Sequence, residues 1–259
     1  MNANPQCKAI DHSAGAETTA AAPDERWWTF QKVNRDRRAI RDFDGTPLPD
    51  EDVEALIGEA LLAPSSGNSQ PYVIYWLRDP AMKAAGAGAC RNQRAARSAS
   101  SLLVFVAASR FALETVSLFH AWVESTSELS EKSRDYHRRE MKTGRRFLRI
   151  APSFLWSPLR SLLTAAFPSL ALVPVGPSGV RNWAARSAIF AAQTILLAAS
   201  ARGLDSCPME GFDPRKLGRI LGLERGDVIA IVVALGRRRP DALIEPRWRR
   251  SFEAAVQVR

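Results

Sequence analysis

The 259-residue sequence predicts an α+β fold, a sheet sandwiched between helices in three layers. Two observations carry this. Val228–Leu235 is apolar throughout, as a strand covered on both faces must be. The other apolar β-type runs are few, and helical patterns separate them. Length permits one sizeable core, and no linker or repeat divides the chain.

In chain order, residues 1–26 mix Ala, Thr, Asp, Glu and Lys without an apolar signal core. They read as a disordered or loosely docked extension. The main domain is expected over 27–259, starting with an amphipathic run after Trp27 and Trp28. Pro49-Asp50-Glu51-Asp52 opens a helix with acids in its first turn, where they complement the helix dipole. Val53, Leu56, Ile57, Ala60 and Leu61 supply its apolar face, and Pro64 ends it. Tyr72–Leu77, β-branched and aromatic, reads as a strand. Residues 80–98 read as helical, 102–107 as a second buried strand, and 112–148 as one or two helices charged on one side.

Residues 150–180 combine Leu, Phe and Trp with Pro152, Pro158, Pro168, Pro174 and Pro177. These prolines and Arg160 interrupt any apolar run of about 18 residues, so a membrane span is rejected. The segment reads as a partly helical cap near a pocket, or as a surface that another subunit covers. Residues 111–180 as a whole read as an insertion. Trp183–Ala201 is an apolar helix with small residues on one side, capped by Gly203.

Formal net charge is +9, carried mostly by arginine and concentrated at 35–41, 134–149 and 237–250. No groove-reading motif or interleaved aromatic platform accompanies these clusters, so anionic small ligands are favoured over nucleic acid. No membrane partner is expected either. Cys7, Cys90 and Cys207 with His12, His120 and His137 make neither a disulfide framework nor a metal site, which favours a reducing cytoplasm. Gly86-Ala87-Gly88 lacks the third glycine of a dinucleotide loop and follows no strand. His120 and His137 read as solvated, and Cys207 as packing.

Two segments hold candidate chemistry. Arg37-Arg38-Ala39-Ile40-Arg41 is a cationic cluster suited to a phosphate. Ala63-Pro64-Ser65-Ser66-Gly67-Asn68-Ser69-Gln70-Pro71 packs hydroxyls and carboxamides where backbone can approach a planar, polar-edged ligand. A phosphate site beside a carboxamide-lined site suggests a nucleotide-like cofactor, and flavin mononucleotide (FMN) fits best.

These segments, then Pro208-Met209-Glu210-Gly211-Phe212-Asp213, then a last apolar strand ending at Gly236 with a basic tail, occur in one order. In that order they resemble the FMN-dependent nitroreductase family, over roughly residues 30–110 and 180–255. The resemblance implies a mostly antiparallel central sheet and a domain-intertwined homodimer. It places Arg37, Arg38, Ala39, Arg41, Arg247 and Arg249 at the phosphate. Pro64, Ser65, Ser66, Asn68 and Gln70 would wrap the flavin across the dimer interface, with Asn92 at its pyrimidine edge. Pro208, Met209, Glu210 and Gly211 would face the central ring. The catalytic positions are Gly211, whose N–H would donate to N5, and Glu210, which would order the site.

The implied reaction is ping-pong: hydride passes from NADH or NADPH through N5 to an aromatic oxidant such as a nitroarene or quinone. The family has Ser at Ala39, often Lys at Arg41, and Lys at Ala95; Arg94 or another residue must then replace that last cation. Two other readings stand beside this one. The same fold could serve as a specialised flavin-dependent dehydrogenase, oxidase or dehalogenase, or as a non-catalytic flavin- or nucleic-acid-binding protein.

Overall fold

The computed structural model describes residues 23–259, so most of the extension expected at 1–26 lies outside the described residues. Strand β1 (Tyr72–Leu77), β2 (Ser101–Ala107), β3 (Asp205–Met209) and β4 (Val228–Gly236) form an antiparallel sheet in the order β1-β2-β4-β3. Central strands β2 and β4 have both faces covered. Side chains alternate across a strand, and Leu102, Val104, Val106, Val232 and Ala234 enter one core, while Leu103, Phe105, Ala107, Val233 and Leu235 enter the other. That two-sided burial is why both strands read as unbroken apolar runs.

One core lies under α3 (Pro80–Ala89), α4 (Arg94–Ser98) and α9 (Pro214–Ile220). The other lies under α2 (Asp50–Leu61) and α8 (Gly176–Ala201). Ala184, Ala188, Ala191 and Ala192 let α8 approach the sheet closely, and they are all buried. The result is the three-layer α+β sandwich expected. Helix α1 (Pro23–Asp36) packs on α8, and its first turn takes in the last residues of the expected extension.

Several elements differ from expectation for local reasons. The helical stretch expected over 80–98 breaks at 90–93, where Arg91 and Asn92 adopt left-handed φ of 55° and 51°. Gly86 belongs to helix packing: a Cβ there would lie 2.4 Å from Leu77 Cδ1. The charged stretch forms two helices, α5 (Ser109–Ser125) and α6 (Glu131–Ile150), and Ser130 caps the second through Ser133 N–H. In the proline-rich stretch, α7 (Trp156–Ala166) is followed by a 3-10 turn, Pro168–Leu172. Helix α8 starts at Gly176, before Trp183, because Pro177 sits in its first turn, where no N–H is needed. Strand β3 was not expected as a strand. It contains Pro208, which an edge strand tolerates. A short terminal helix, α10 (Phe252–Ala255), follows the basic tail.

Phe105 is among the largest fully buried side chains. Phe105→Ala should cost about 3–5 kcal/mol, measured as a lowered urea midpoint at unchanged m-value.

Candidate functional site

The site grows from the free edge of β3. Ala39 forms a parallel bridge to Ser206, and Ile40 N–H donates to the Ser206 carbonyl at 3.0 Å. Residues 37–41 are thereby laid along β3, with Arg37, Arg38 and Ala39 half-buried and Arg41 exposed. The basic tail returns to the same place. Arg247 donates to the carbonyls of Asn34 at 3.1 Å, Arg35 at 2.8 Å and Arg37, while Arg38 donates to the Glu245 carbonyl.

Like charges therefore converge. Burial, then the charges of Arg247, Arg249 and Arg38, hold the Arg37 guanidinium below its ordinary value. Burial, then Arg38 and Arg249, do the same at Arg247. All stay charged. Among the described residues, none of Arg37, Arg38, Arg41, Arg247 and Arg249 forms an ion pair. Arg37 and Arg38 line a cavity of about 320 Å³ together with Ser206, Asp36 and the ion-paired Asp205 and Arg238. Arginines so placed repel one another, as the lowered values of Arg37 and Arg247 record.

At the other end of β3, Gln93 meets the Pro208–Gly211 segment. Gln93 Nε2 donates to the Gly211 carbonyl at 2.6 Å, and Asp213 N–H to the Ala89 carbonyl at 2.8 Å. A Cβ at Gly211 would lie 2.9 Å from Gln93 Nε2, so any side chain there would displace that amide. Asn92 and Glu210 are exposed and Pro208 is half-exposed. Pro208 and Glu210 border an open hollow of about 460 Å³ against Gln193 and Leu196 of α8. The Met209 side chain is a correction: it is buried in the α3–α9 core, so only its backbone can face a ligand. A larger hollow, of about 920 Å³, lies between α9 and β4 and contains none of the expected site residues.

The carboxamide loop is preformed yet set apart. Asn68 and Gln70 hold left-handed φ of 49° and 39°, and Gln70 Nε2 donates to Asn68 Oδ1 at 3.1 Å. Gln70 N–H donates to Ser65 Oγ at 2.9 Å and Ser69 Oγ to the Ser66 carbonyl at 2.7 Å. Recorded side-chain hydrogen bonds of Ser65, Ser66 and Asn68 stay inside the loop. Among the described residues, no hydrogen bond joins Pro64–Gln70 to the arginine cluster or to Gly211.

Sequence reasoning missed the role of Gln93, although it adjoins Asn92. The substitute for a cation at Ala95 also takes shape here. Ala95 is buried in α4, and Arg94 is paired with Asp42 at 2.5 Å. A Cβ placed on Gly88 would lie 3.4 Å from Lys216 Nζ and 3.9 Å from Asn92 Oδ1. Lys216, in the first turn of α9, thus brings its ammonium to Gly88, which the Asn92 amide also borders.

Fold and site together define a class of protein. Residues 35–237 match the nitroreductase family, and the chain belongs to it. It is 30% identical over 201 residues to a protein named NADH dehydrogenase from Thermus thermophilus, covering 77% of this chain and 82% of that one. Crystal structures of ydfN from Bacillus subtilis and of a protein from Exiguobacterium sibiricum in complex with FMN share the fold at 20% identity. Their TM-scores are 0.70 and 0.68, covering 90% and 89% of this chain and 100% and 97% of those chains. The family makes the chain an enzyme of the oxidoreductase type.

Cys90 and Cys207 are buried. Burial pushes the Cys90 thiol up to about 11 and raises that of Cys207. The thiolate is the nucleophile. In a Cys7→Ser background, iodoacetamide at pH 8 should therefore leave both unmodified until urea unfolds the protein. Rapid native alkylation would show that one is accessible and reactive.

Proposed function

We propose that the chain is an FMN-dependent oxidoreductase using NADH or NADPH, with an aromatic oxidant such as a nitroarene or quinone as second substrate. The observation that carries this is the cluster of half-buried and exposed arginines without counter-ions, 37, 38, 247 and 249, at one end of β3, with the Gly211 loop at its other end. Bound FMN would supply reversible hydride transfer at its central ring.

The chain's own residues divide the remaining work. Guanidinium forks of Arg37 and Arg247, with Arg38, Arg41 and Arg249, would neutralise the phosphate. Ala39 offers the phosphate no hydroxyl. The Asn92 amide would read the polar edge of the ring, and Lys216 would stabilise negative charge developing there. Gln93 fixes the Gly211 loop so that its backbone N–H keeps one direction, and Glu210 sits exposed where a substrate or water could meet it. No protein nucleophile is needed, in keeping with both buried thiols.

A homodimer completes the site. Ser65, Ser66 and Asn68 of a second copy would close the half-pocket that their own loop does not reach, with Pro64 and Gln70 shaping that loop. Exposed Leu61, Leu62, Ile189 and Phe190 on α2 and α8 are an apolar surface suited to such a contact.

Absorbance spectra test the proposal. FMN added to the purified protein should bind, and NADH or NADPH should bleach its oxidised band, with recovery on adding a quinone. Failure to bind FMN would overturn it. Arg37→Ala should lose about 1.5–3 kcal/mol of FMN affinity, roughly tenfold to hundredfold, while the folded fraction is unchanged. Lys216→Met should lower the midpoint potential of the bound flavin, and Lys216→Arg should restore it. An unchanged potential would remove Lys216 from this role.

A further inference from the structure

Helix α7 has no buried residue. An 11-residue helix is marginal in water, and burial of an apolar face is what ordinarily stabilises one. Here the apolar side chains point outward instead. Phe154 is 77% exposed, Leu155 85% and Leu162 70%, with Leu159, Phe167 and Leu172 exposed beside them. The patch far exceeds the scattered single apolar residues normal on a soluble surface.

Its border is cationic. Helix α6 runs into the patch, and Arg146 and Ile150 line both a groove of about 660 Å³, shared with Lys142, Arg145 and Arg149, and an apolar hollow of about 270 Å³ that includes Phe147 and Trp156. Lys142, Arg145, Arg146 and Arg149 form no ion pair among the described residues. From Met141 to Leu204 the sequence contains no Asp or Glu. Apolar side chains including Trp and Phe, bordered by Arg and Lys and free of acids, are what an anionic lipid interface attracts.

We propose that residues 142–172 dock the protein peripherally on an anionic phospholipid bilayer, with Phe154, Leu155 and Leu162 entering the acyl boundary and Lys142, Arg145, Arg146 and Arg149 meeting the phosphates. This revises the expectation of no membrane partner without restoring a span, which Pro158 and Pro168 still preclude. A second copy docking through the same patch is disfavoured, because a two-fold contact would set one acid-free cationic face against another. The inference does not rest on the flavin reading.

The test is co-sedimentation of the full chain with vesicles of phosphatidylcholine alone or mixed with phosphatidylglycerol, alongside Trp156 quenching by brominated acyl chains. Binding should require phosphatidylglycerol and weaken with salt. Arg145→Gln with Arg146→Gln and Arg149→Gln should reduce it by about tenfold or more. Phe154→Ser with Leu155→Ser should abolish quenching while leaving the circular dichroism spectrum and FMN content unchanged. Equal affinity for neutral vesicles, or no binding to either, would overturn the proposal. So would a change of oligomeric state in the serine variant, since the patch would then belong to a protein interface. Loss of FMN binding with vesicle binding intact would strike the flavin reading alone.

Discussion

Strands β2 and β4 accept helices on both faces, and this constraint organises the molecule. An antiparallel sheet can leave one face to water; this one cannot, because residues 102–107 and 231–235 put apolar side chains on both sides. With both faces closed, backbone hydrogen-bonding capacity is left at the edges. The β3 edge takes residues 39–40, which fixes where the first arginine cluster sits relative to the Gly211 loop. Position in the sheet, more than any one side chain, assembles the candidate site.

The arginines then raise an energetic question. Guanidinium groups brought together with partial burial repel one another and lose hydration, and carbonyl contacts such as those from Arg247 offset the cost in part. Structural arginines usually find carboxylates, as Arg238 does with Asp205 and Arg110 with Asp227. The contrast within one chain separates arginines that hold the fold from those available to a ligand. Strain points the same way, since Arg91, Asn92, Asn68 and Gln70 all hold left-handed backbone, and such geometry clusters where function demands it.

Much of this was legible in the sequence. Strands buried on both faces announce themselves by composition, so β1, β2 and β4 fell within a residue of expectation. The ordered motifs single out the arginines, the carboxamide loop and the Gly211 segment as candidates. Illegible features were those set by tertiary contact. Strand β3 contains Pro208 and gains its hydrogen bonds from β4, so local propensity does not mark it. The break at 90–93 depends on Arg91 entering a conformation that its side chain disfavours. Lys216 and Gln93 are ordinary surface residues by pattern, and folding alone brings them to Gly88 and Gly211. Met209 fails in the opposite sense: it belongs to a site motif, yet strand alternation sends its side chain into the core.

The positive charge is distributed between two surfaces of different shape, and shape decides what each can bind. Around Arg37 and Arg247 the cations gather in one small region, close enough to lower each other's pKa, and suit a compact anion. Along α6 they are spread over successive turns beside exposed Leu, Phe and Trp side chains. A small anion could satisfy few of those at once and would leave the apolar area wet. An extended anionic surface with an apolar interior would satisfy both, and would remove the anomaly of α7, a helix with no buried residue. The same excess of arginine that composition reports as one number therefore resolves into two physical problems, one that a phosphate would solve and one that an interface would.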